Sequence, residues 1–531
     1  MTQVAARHRE GFRRFLADIA KPDRPVVGDV VAGVSVAMVL IPQSMAYADL
    51  AGLPPFVGLF AAAFPLLMFA LFASSPYLQT GPVALTSLLT FGALAVTGSE
   101  PGSVSYVQQA ALLAVIVGAV RLLLGVLRLG LVAYLMAEPV MIGFTSAAGL
   151  VILSSQLPKA LGVAEVVPDS ENPIVEALWA LGHPGQWRGV AVGLAVVTLI
   201  LMLGGRSIHR LFPGVLVAVI LGVVFSNASD YDGAVVGGIP EGLPSFTLDL
   251  PWSDLPSLIL GGVVIALVGF AEPASIARTF AGEDGEPWSA SQEFFSSGWA
   301  NLAAGVTGAF PVGGSFSRSS VNRFAGARSK WSGGITGLVV LAFLPFAGVL
   351  EALPTAVLGA IVVGAVTSLV KPKRLLSLWR RSKSQALLTY VTFFATLITP
   401  PEVFWAVILG VLLTVVHHFA FKLKLTVDAS DPAMLRIRPD GLLWIGSNGV
   451  LAERLKAAIA NHGSSPAIEV DLGGVPSVDS GIADALGIAV EAAGGRSVIV
   501  INPPEGAKAL LQGAGCQLRE SEISQHELSE S

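Results

Sequence analysis

Charge is what this chain lacks most. Only 13% of its 531 residues are Asp, Glu, Lys or Arg, while 53% are hydrophobic and the mean hydropathy is +0.71. A soluble globular protein carries roughly 25% charged residues, so a chain this poor in polar surface belongs in a bilayer. Cysteine is nearly missing as well. The lone Cys516 excludes an intramolecular disulfide, and no Cys/His grouping has metal-ligand spacing. Basic tracts interleaved with aromatics are absent, and a net charge of −5 with a pI near 5.9 leaves no broad cationic surface, so no nucleic acid is expected as a partner. No nucleophile, base and oxyanion-donor set can be assembled, so nothing points to an enzyme and no cofactor is expected. The segment from Met1 to Pro25 is basic, with Arg7, Arg9, Arg13, Arg14, Lys21 and Arg24, but no short apolar core or A-x-A site follows it. Residues 1–26 therefore read as a cytoplasmic segment and not as a cleaved signal peptide.

What the chain has in abundance is apolar length. Stretches long enough to cross ~30 Å of hydrocarbon recur from Val27 to about Leu423, about fourteen in all, and near Thr426 the composition changes abruptly. The expected organisation is a transmembrane domain at 27–424, a soluble domain at 425–518 and a polar, disordered tail at 519–531. Short loops rich in Lys/Arg stay cytoplasmic. Arg206, His209 and Arg210 follow the sixth stretch, Arg328 and Lys330 the tenth, and Lys371, Lys373, Arg374, Arg380, Arg381 and Lys383 the twelfth. All fall on the side of the basic N-terminus. The span from Leu211 to Ala277 has no Lys or Arg but holds Asp230, Asp232, Glu241, Asp249 and Asp254. A multi-pass inner-membrane protein with both its N-terminus and its C-terminal domain in the cytoplasm is expected.

The third and tenth stretches, 82–97 and 317–327, are too short to cross. Each opens after a Gly/Pro-rich run, Pro76-Tyr-Leu-Gln-Thr-Gly-Pro-Val-Ala-Leu-Thr86 and Phe310-Pro-Val-Gly-Gly-Ser-Phe-Ser-Arg-Ser-Ser320. They lie seven apart in the order of stretches, so one runs inward and the other outward. Paired interrupted helices at matching places point to an inverted-repeat transporter with a site at the bilayer midplane. Helices starting at Val83 and Ser317 aim free N–H groups into that site, where an anion suits the donors and the partial positive charge. Arg318 adds a full charge, and Ser315, Ser317, Ser319 and Ser320 surround it with polar groups. An Arg at mid-membrane costs at least ~2.5–3.5 kcal/mol and normally marks function; the plain alternative is an Arg snorkelling from an interface. In the first stretch Gln43 and Tyr47 share one helix face. In the eighth, 256–280, Glu272 is the sole acidic residue. Its plain alternative is a fixed ion pair with Arg318, and that of Gln43 and Tyr47 is interhelical hydrogen bonding.

Three runs carry a family resemblance: Ile41-Pro-Gln-Ser-Met-Ala-Tyr-Ala-Asp-Leu-Ala-Gly-Leu-Pro-Pro55, Thr80-Gly-Pro-Val-Ala84 and Gly314-Ser-Phe-Ser-Arg-Ser-Ser-Val-Asn322. They resemble the signature stretches of the SulP (sulfate permease) anion transporters. The resemblance implies an α-helical polytopic fold of about fourteen segments in two inverted seven-segment repeats, divided into core and gate domains, and a homodimer. It assigns Gln43, Tyr47, the backbone at Val83 and Ala84, Ser315, Ser317 and Arg318 to anion binding, and Glu272 to coupling. Sodium-driven bicarbonate members resemble one another in an Asp on the eighth helix with a hydroxyl residue one turn later. This chain has Glu272 and, four residues on, Ile276, which removes an oxygen ligand for sodium unless Ser275 substitutes. Glu at this position looks like the proton-coupled sulfate members. The implied function is secondary active transport of a small anion (sulfate, bicarbonate or a dicarboxylate) with a proton, by an elevator or rocking movement of the core domain. An uncoupled exchanger or channel and a sodium-coupled bicarbonate transporter are the alternatives within the fold. A nucleobase:proton symporter shares it but suits Arg318 less well, and a membrane-tethered signalling protein is the reading from another class.

The soluble tail reads as alternating strand and helix, with strands at Gly441–Ile445, Ala467–Leu472 and Ser497–Ile501 and a helix at Leu451–Asn461. The run Val470-Asp-Leu-Gly-Gly-Val-Pro-Ser-Val-Asp-Ser-Gly-Ile-Ala-Asp-Ala-Leu486 resembles the strand, loop and helix of a STAS domain. Ser480 is then either a phosphoacceptor or a helix N-cap.

Overall fold

The computed structural model describes residues 24–519, apart from 130–137, 169, 171, 210, 230, 241, 285–287, 382, 401–402, 421–423, 432–433, 441–447, 463–466, 474, 476–477, 479 and 505–506. In hydrocarbon every unpaired backbone group costs several kcal/mol, so an apolar run closes its own hydrogen bonds as helix. A helix lies on each of the expected apolar stretches: α1 Val27–Leu50, α2 Pro55–Phe72, α3 Ala84–Ala95, α4 Val104–Val126, α5 Glu138–Ala160, α6 Gly189–Leu199, α7 Gly214–Ala228, α8 Leu255–Asp284, α9 Ala290–Val306, α10 Phe316–Phe324, α11 Trp331–Phe343, α12 Thr355–Val366, α13 Lys383–Ile398 and α14 Phe404–Ala420. Among the described residues, six regions built on α1, α2, α4, α5, α8 and α11 are long and apolar enough to cross a membrane unaided.

The helices pack as two groups. In one, α1–α4 contact α8–α11; in the other, α5–α7 contact α12–α14. Each group therefore joins corresponding parts of the two halves, the first four helices of each in one group and the last three of each in the other. Lipid tails give helices no hydrophobic reason to associate, so close backbone approach through small residues supplies the packing. The α4–α9 contact uses it. Gly118 and Gly298 face each other, Gly125 lies against Phe295, and Gly305 lies against Ala111 and Val115; the two glycines of each helix are seven residues apart. A methyl on Gly298 would lie 2.7 Å from the Leu122 nitrogen, and one on Gly118 would lie 2.7 Å from that of Leu302. α1 and α8 carry Pro42 and Pro273 inside the helix, at corresponding places in the two halves.

Both short helices are interrupted as expected. α3 begins at Ala84 after extended Val83, one residue later than the expected start at Val83, and α10 begins at Phe316 after extended Ser315. The second start thus lies one residue earlier than the expected Ser317. Ser315 is the N-cap, its Oγ accepting the Arg318 backbone N–H at 3.4 Å.

The C-terminal part has a separate hydrophobic core, built from Leu435 to Cys516. Its five strands are β3 Lys424–Asp431, β4 Met434–Asp440, β5 Ala467–Asp471, β6 Ser497–Ile501 and β7 Gln517–Arg519, in that order across the sheet. β3 and β4 form an antiparallel hairpin; the remaining neighbours are parallel. Helices Asn448–Asn461, Ser480–Ala492 and Lys508–Gly513 connect them. The hairpin was not anticipated, because its alternating apolar residues are diluted by Asp and Arg. The expected strand at 441–445 lies outside the described residues. Arg519 closes β7 instead of opening a disordered tail, and 520–531 lie outside the described residues. The helix at Ser480 includes Ser480 itself, one residue earlier than an N-cap role for it requires.

Candidate functional site

The two breaks meet. Thr80–Gly81, β1, pairs antiparallel with Gly313–Gly314, β2, in the register Thr80↔Gly314 and Gly81↔Gly313. The crossing extends on one side: Ser315 N–H donates to the Gln79 carbonyl at 3.0 Å, and Gln79 N–H donates to Ser319 Oγ at 2.9 Å. Thr80 Oγ1 donates to the Gly313 carbonyl at 3.2 Å. Glycine is required at position 81, where φ is +133° and a β-carbon would be strained. Two extended segments thus satisfy each other's backbone groups inside protein, the condition under which non-helical backbone persists at membrane depth. The result is a pair of helix starts held at one place.

Arg318 lies at that place, 1% exposed. None of its three guanidinium nitrogens has a hydrogen-bond partner among the described residues. A methyl on Gly81 would sit 3.6 Å from its Nη2, so the group lies against β1. Snorkelling to an interface is excluded by this burial. Desolvating an unpaired cation costs roughly several kcal/mol, and no described residue offsets that cost with a hydrogen bond.

Val83 and Ala84, the cap and first residue of α3, are buried beside the crossing. Gln43 and Tyr47 are buried on α1, and neither side chain hydrogen-bonds to a described residue, so the interhelical alternative is not made. Tyr47, Glu272 and Arg318 lie within electrostatic reach of one another. Ser315 caps α10, and Ser317 is half-buried in its first turn.

Glu272 is half-buried and accepts the backbone N–H of Phe316, the first residue of α10. The fixed ion pair with Arg318 is not formed; Glu272 instead occupies one of the free N–H groups expected to face the anion. The carboxylate and the cation are therefore neighbours that are not bonded to each other.

Two buried side chains at the crossing carry no sequence signal. Arg121 of α4 is fully buried and donates from Nε to the Ala266 carbonyl, from Nη1 to Ser297 Oγ and the Val312 carbonyl, and from Nη2 to the Ile265 carbonyl. Asn301 of α9 exchanges two hydrogen bonds with the backbone of Val312. Together they fix the second break. Arg121 sits in the last turns of an apolar stretch, where its sequence position looks like a membrane-interface cation.

Residues 26–392 match the sequence profile described as the sulfate permease family. A sulfate transporter of Arabidopsis thaliana, described as chloroplastic, is 33% identical over 74% of this chain, and that match spans 58% of its own length. A probable sulfate transporter of Mycobacterium tuberculosis is 35% identical over 73% of this chain and 70% of its own. Among solved structures, murine solute carrier 26 family member A9, an anion transporter in the inward-facing state, aligns with a TM-score of 0.68 at 19% identity, covering 96% of this chain and 92% of that one. The transmembrane domain of a cyanobacterial bicarbonate transporter aligns with a TM-score of 0.61 at 22% identity, covering 73% of this chain and 97% of that one. At such identities the structural likeness concerns the fold.

Proposed function

The chain belongs to the sulfate permease family of anion transporters, and on that premise we propose that it moves a small oxyanion together with a proton. The observation that carries this reading is Arg318: a buried guanidinium with no hydrogen-bond partner among the described residues, set where two helix starts converge. Converging N–H groups and an uncommitted cation are what a compact anion needs in place of water. Gln43, Tyr47, the backbone at Val83 and Ala84, Ser315 and Ser317 complete the proposed site.

Glu272 is the proposed coupling group. When ionised it holds the Phe316 N–H and repels an arriving anion; when protonated it leaves Arg318 and the helix start to the anion. Anion and proton then bind as a linked pair, each raising the affinity of the other. Moving unpaired charge across hydrocarbon is costly, so the group of α1–α4 and α8–α11 moves against the other helices mainly when empty or doubly loaded. The fourteen-span topology, the cytoplasmic placement of 425–518 as a STAS domain, the inner-membrane location and a homodimer belong to the same proposal.

Uptake of radiolabelled sulfate into proteoliposomes tests it, with acid outside and no sodium. Acceleration by the inward proton gradient is expected. Uptake driven by sodium alone, or by neither gradient, would overturn proton coupling, and the absence of saturable uptake of any of sulfate, bicarbonate and a dicarboxylate would overturn the transport reading.

A further inference from the structure

Behind the strand crossing lies a second buried cation, and we propose that Arg121 is a positioning residue of the anion site whose charge favours doubly charged anions over singly charged ones. The inference rests on the reading of the crossing as an anion site.

Arg121 cannot bind the anion itself, because each of its nitrogens is already engaged. Its four acceptors belong to α8, α9 and the approach to β2. All four are neutral. No described carboxylate forms an ion pair with it: Glu272 is held by Phe316, and the buried Glu293 by Ser74 and Ser75. The fan of bonds explains the geometry, since only a guanidinium offers enough donors in one plane to span three elements. It does not compensate the charge. A buried, uncompensated cation is too costly to persist as mere scaffolding.

The position of that charge says what it acts on. A methyl on Gly269 would lie 2.9 Å from Arg121 Nη2. One on Gly313 would lie 3.5 Å from the Gly269 carbonyl oxygen and 3.1 Å from Val83 Cγ2. Gly313 pairs with Gly81, against which Arg318 Nη2 lies. The chain of contacts runs Arg121, Gly269, Gly313, Gly81, Arg318, with one guanidinium toward each strand. Attraction from a fixed charge scales with the charge of the ligand. One cation in contact balances a monoanion; a second, behind the backbone, acts most on the second negative charge of a dianion. The same bonds to the Val312 carbonyl and to α8 hold the break and the Glu272 helix as one body, so Arg121 also carries geometry.

The test compares sulfate with chloride binding to the purified full-length protein at fixed ionic strength, alongside thermal unfolding. Arg121→Gln should lose about tenfold more affinity for sulfate than for chloride. Ser297→Asp keeps the guanidinium and places a carboxylate against Nη1; it should lose the same preference, and it decides the matter should the Gln variant not fold. Arg121→Lys keeps the charge without the fan of bonds, so both affinities should fall together with their ratio retained. A purely structural role would move all three variants alike. An unchanged sulfate-to-chloride ratio in a folded Arg121→Gln or Ser297→Asp protein, or a lost ratio in Arg121→Lys, would overturn the inference while leaving the anion site standing. Wild-type protein that bound neither anion would remove the site and the inference together.

Discussion

The carboxylate of Glu272 accepts the backbone N–H of Phe316, which ties the middle of α8 to the start of the second interrupted helix. A negative charge at a helix N-terminus is favourable, and here it occupies the place an anion would take. Replacing Glu272 with Gln keeps an acceptor oxygen but removes both the charge and its titration. Anion affinity of the wild type should rise as pH falls, since protonation removes repulsion from the site. The Glu272→Gln variant should bind with an affinity independent of pH and should exchange anions without responding to an inward proton gradient. Proteoliposome uptake at two external pH values checks both, and a variant that still follows the gradient would sink the assignment.

Arg318 lends itself to a paired prediction, because binding and stability should move apart. Its removal takes away the contact cation of the proposed site, so Arg318→Ala should weaken anion binding more than tenfold, or ~1.4 kcal/mol. The same change removes a buried charge that no described residue satisfies with a hydrogen bond. Breaking a buried ion pair is destabilising because it leaves an uncompensated partner; here no partner is left. Unfolding of the ligand-free variant should therefore occur at the wild-type temperature or above it. Loss of binding accompanied by a large fall in that temperature would assign Arg318 to the scaffold.

How much of this was legible beforehand depends on which interactions are local. The apolar stretches, the two interruptions and the Gln43, Tyr47, Glu272 and Arg318 set follow from hydropathy, Gly/Pro runs and polar residues in apolar surroundings, all of which are sequence-local. The pairing of Gly81 with Gly313 is not, since it joins segments 232 residues apart through backbone alone. Arg121 escaped for a similar reason. Its burial depends on α8, α9 and β2 closing over it, and nothing within a few residues of it predicts that. In the soluble domain, β3 and β4 escaped because a two-strand hairpin with Asp and Arg on its outer face lacks the apolar run that marks β5 and β6.

The α4–α9 contact leaves no room for side chains at its glycines. A leucine at Gly298 would have to displace the backbone of α4 near Leu122, where even a methyl carbon falls 2.7 Å from nitrogen. Overpacking of this kind costs typically 1–3 kcal/mol. Gly298→Leu should lower the unfolding temperature and the yield of monodisperse protein, whereas Gly185→Leu, at an exposed turn with open space around it, should do neither. Equal behaviour of the two variants in a thermal-unfolding assay would mean that the α4–α9 approach is looser than described.

Cys516 reports on the soluble domain. The thiol is 5% exposed, and burial pushes it up to about 11. The thiolate is the reactive species, so at pH 8 both access and ionisation protect it. Maleimide labelling of the native protein should be slow and should accelerate sharply in denaturant. Since this is the chain's sole cysteine, the readout needs no mutagenesis, and rapid labelling of the native protein would mean that the domain opens.

An ion pair joins the two helix groups. Lys159 Nζ lies 2.5 Å from Asp49 Oδ2, the lysine in the last turn of α5 and the aspartate near the end of α1, with about a quarter of each side chain exposed. The two helices belong to the bodies proposed to move against each other, so the pair favours the arrangement seen here over any in which their ends separate. A partly exposed pair contributes ~0.2–1 kcal/mol, which is at most about a fivefold shift between two conformations. That is too little to hold the carrier shut and enough to alter its turnover. Asp49→Asn and Lys159→Gln should each change the transport rate up to about fivefold, while sulfate affinity, set by the proposed site at the crossing, stays within about twofold. The exchanged double variant, Asp49→Lys with Lys159→Asp, should return the rate toward wild type, which separates the pair from an independent effect of either residue. Rates that match wild type in both single variants would leave the contact as a surface ion pair without a part in the movement, and a double variant no better than the singles would assign the effect to something other than their mutual attraction.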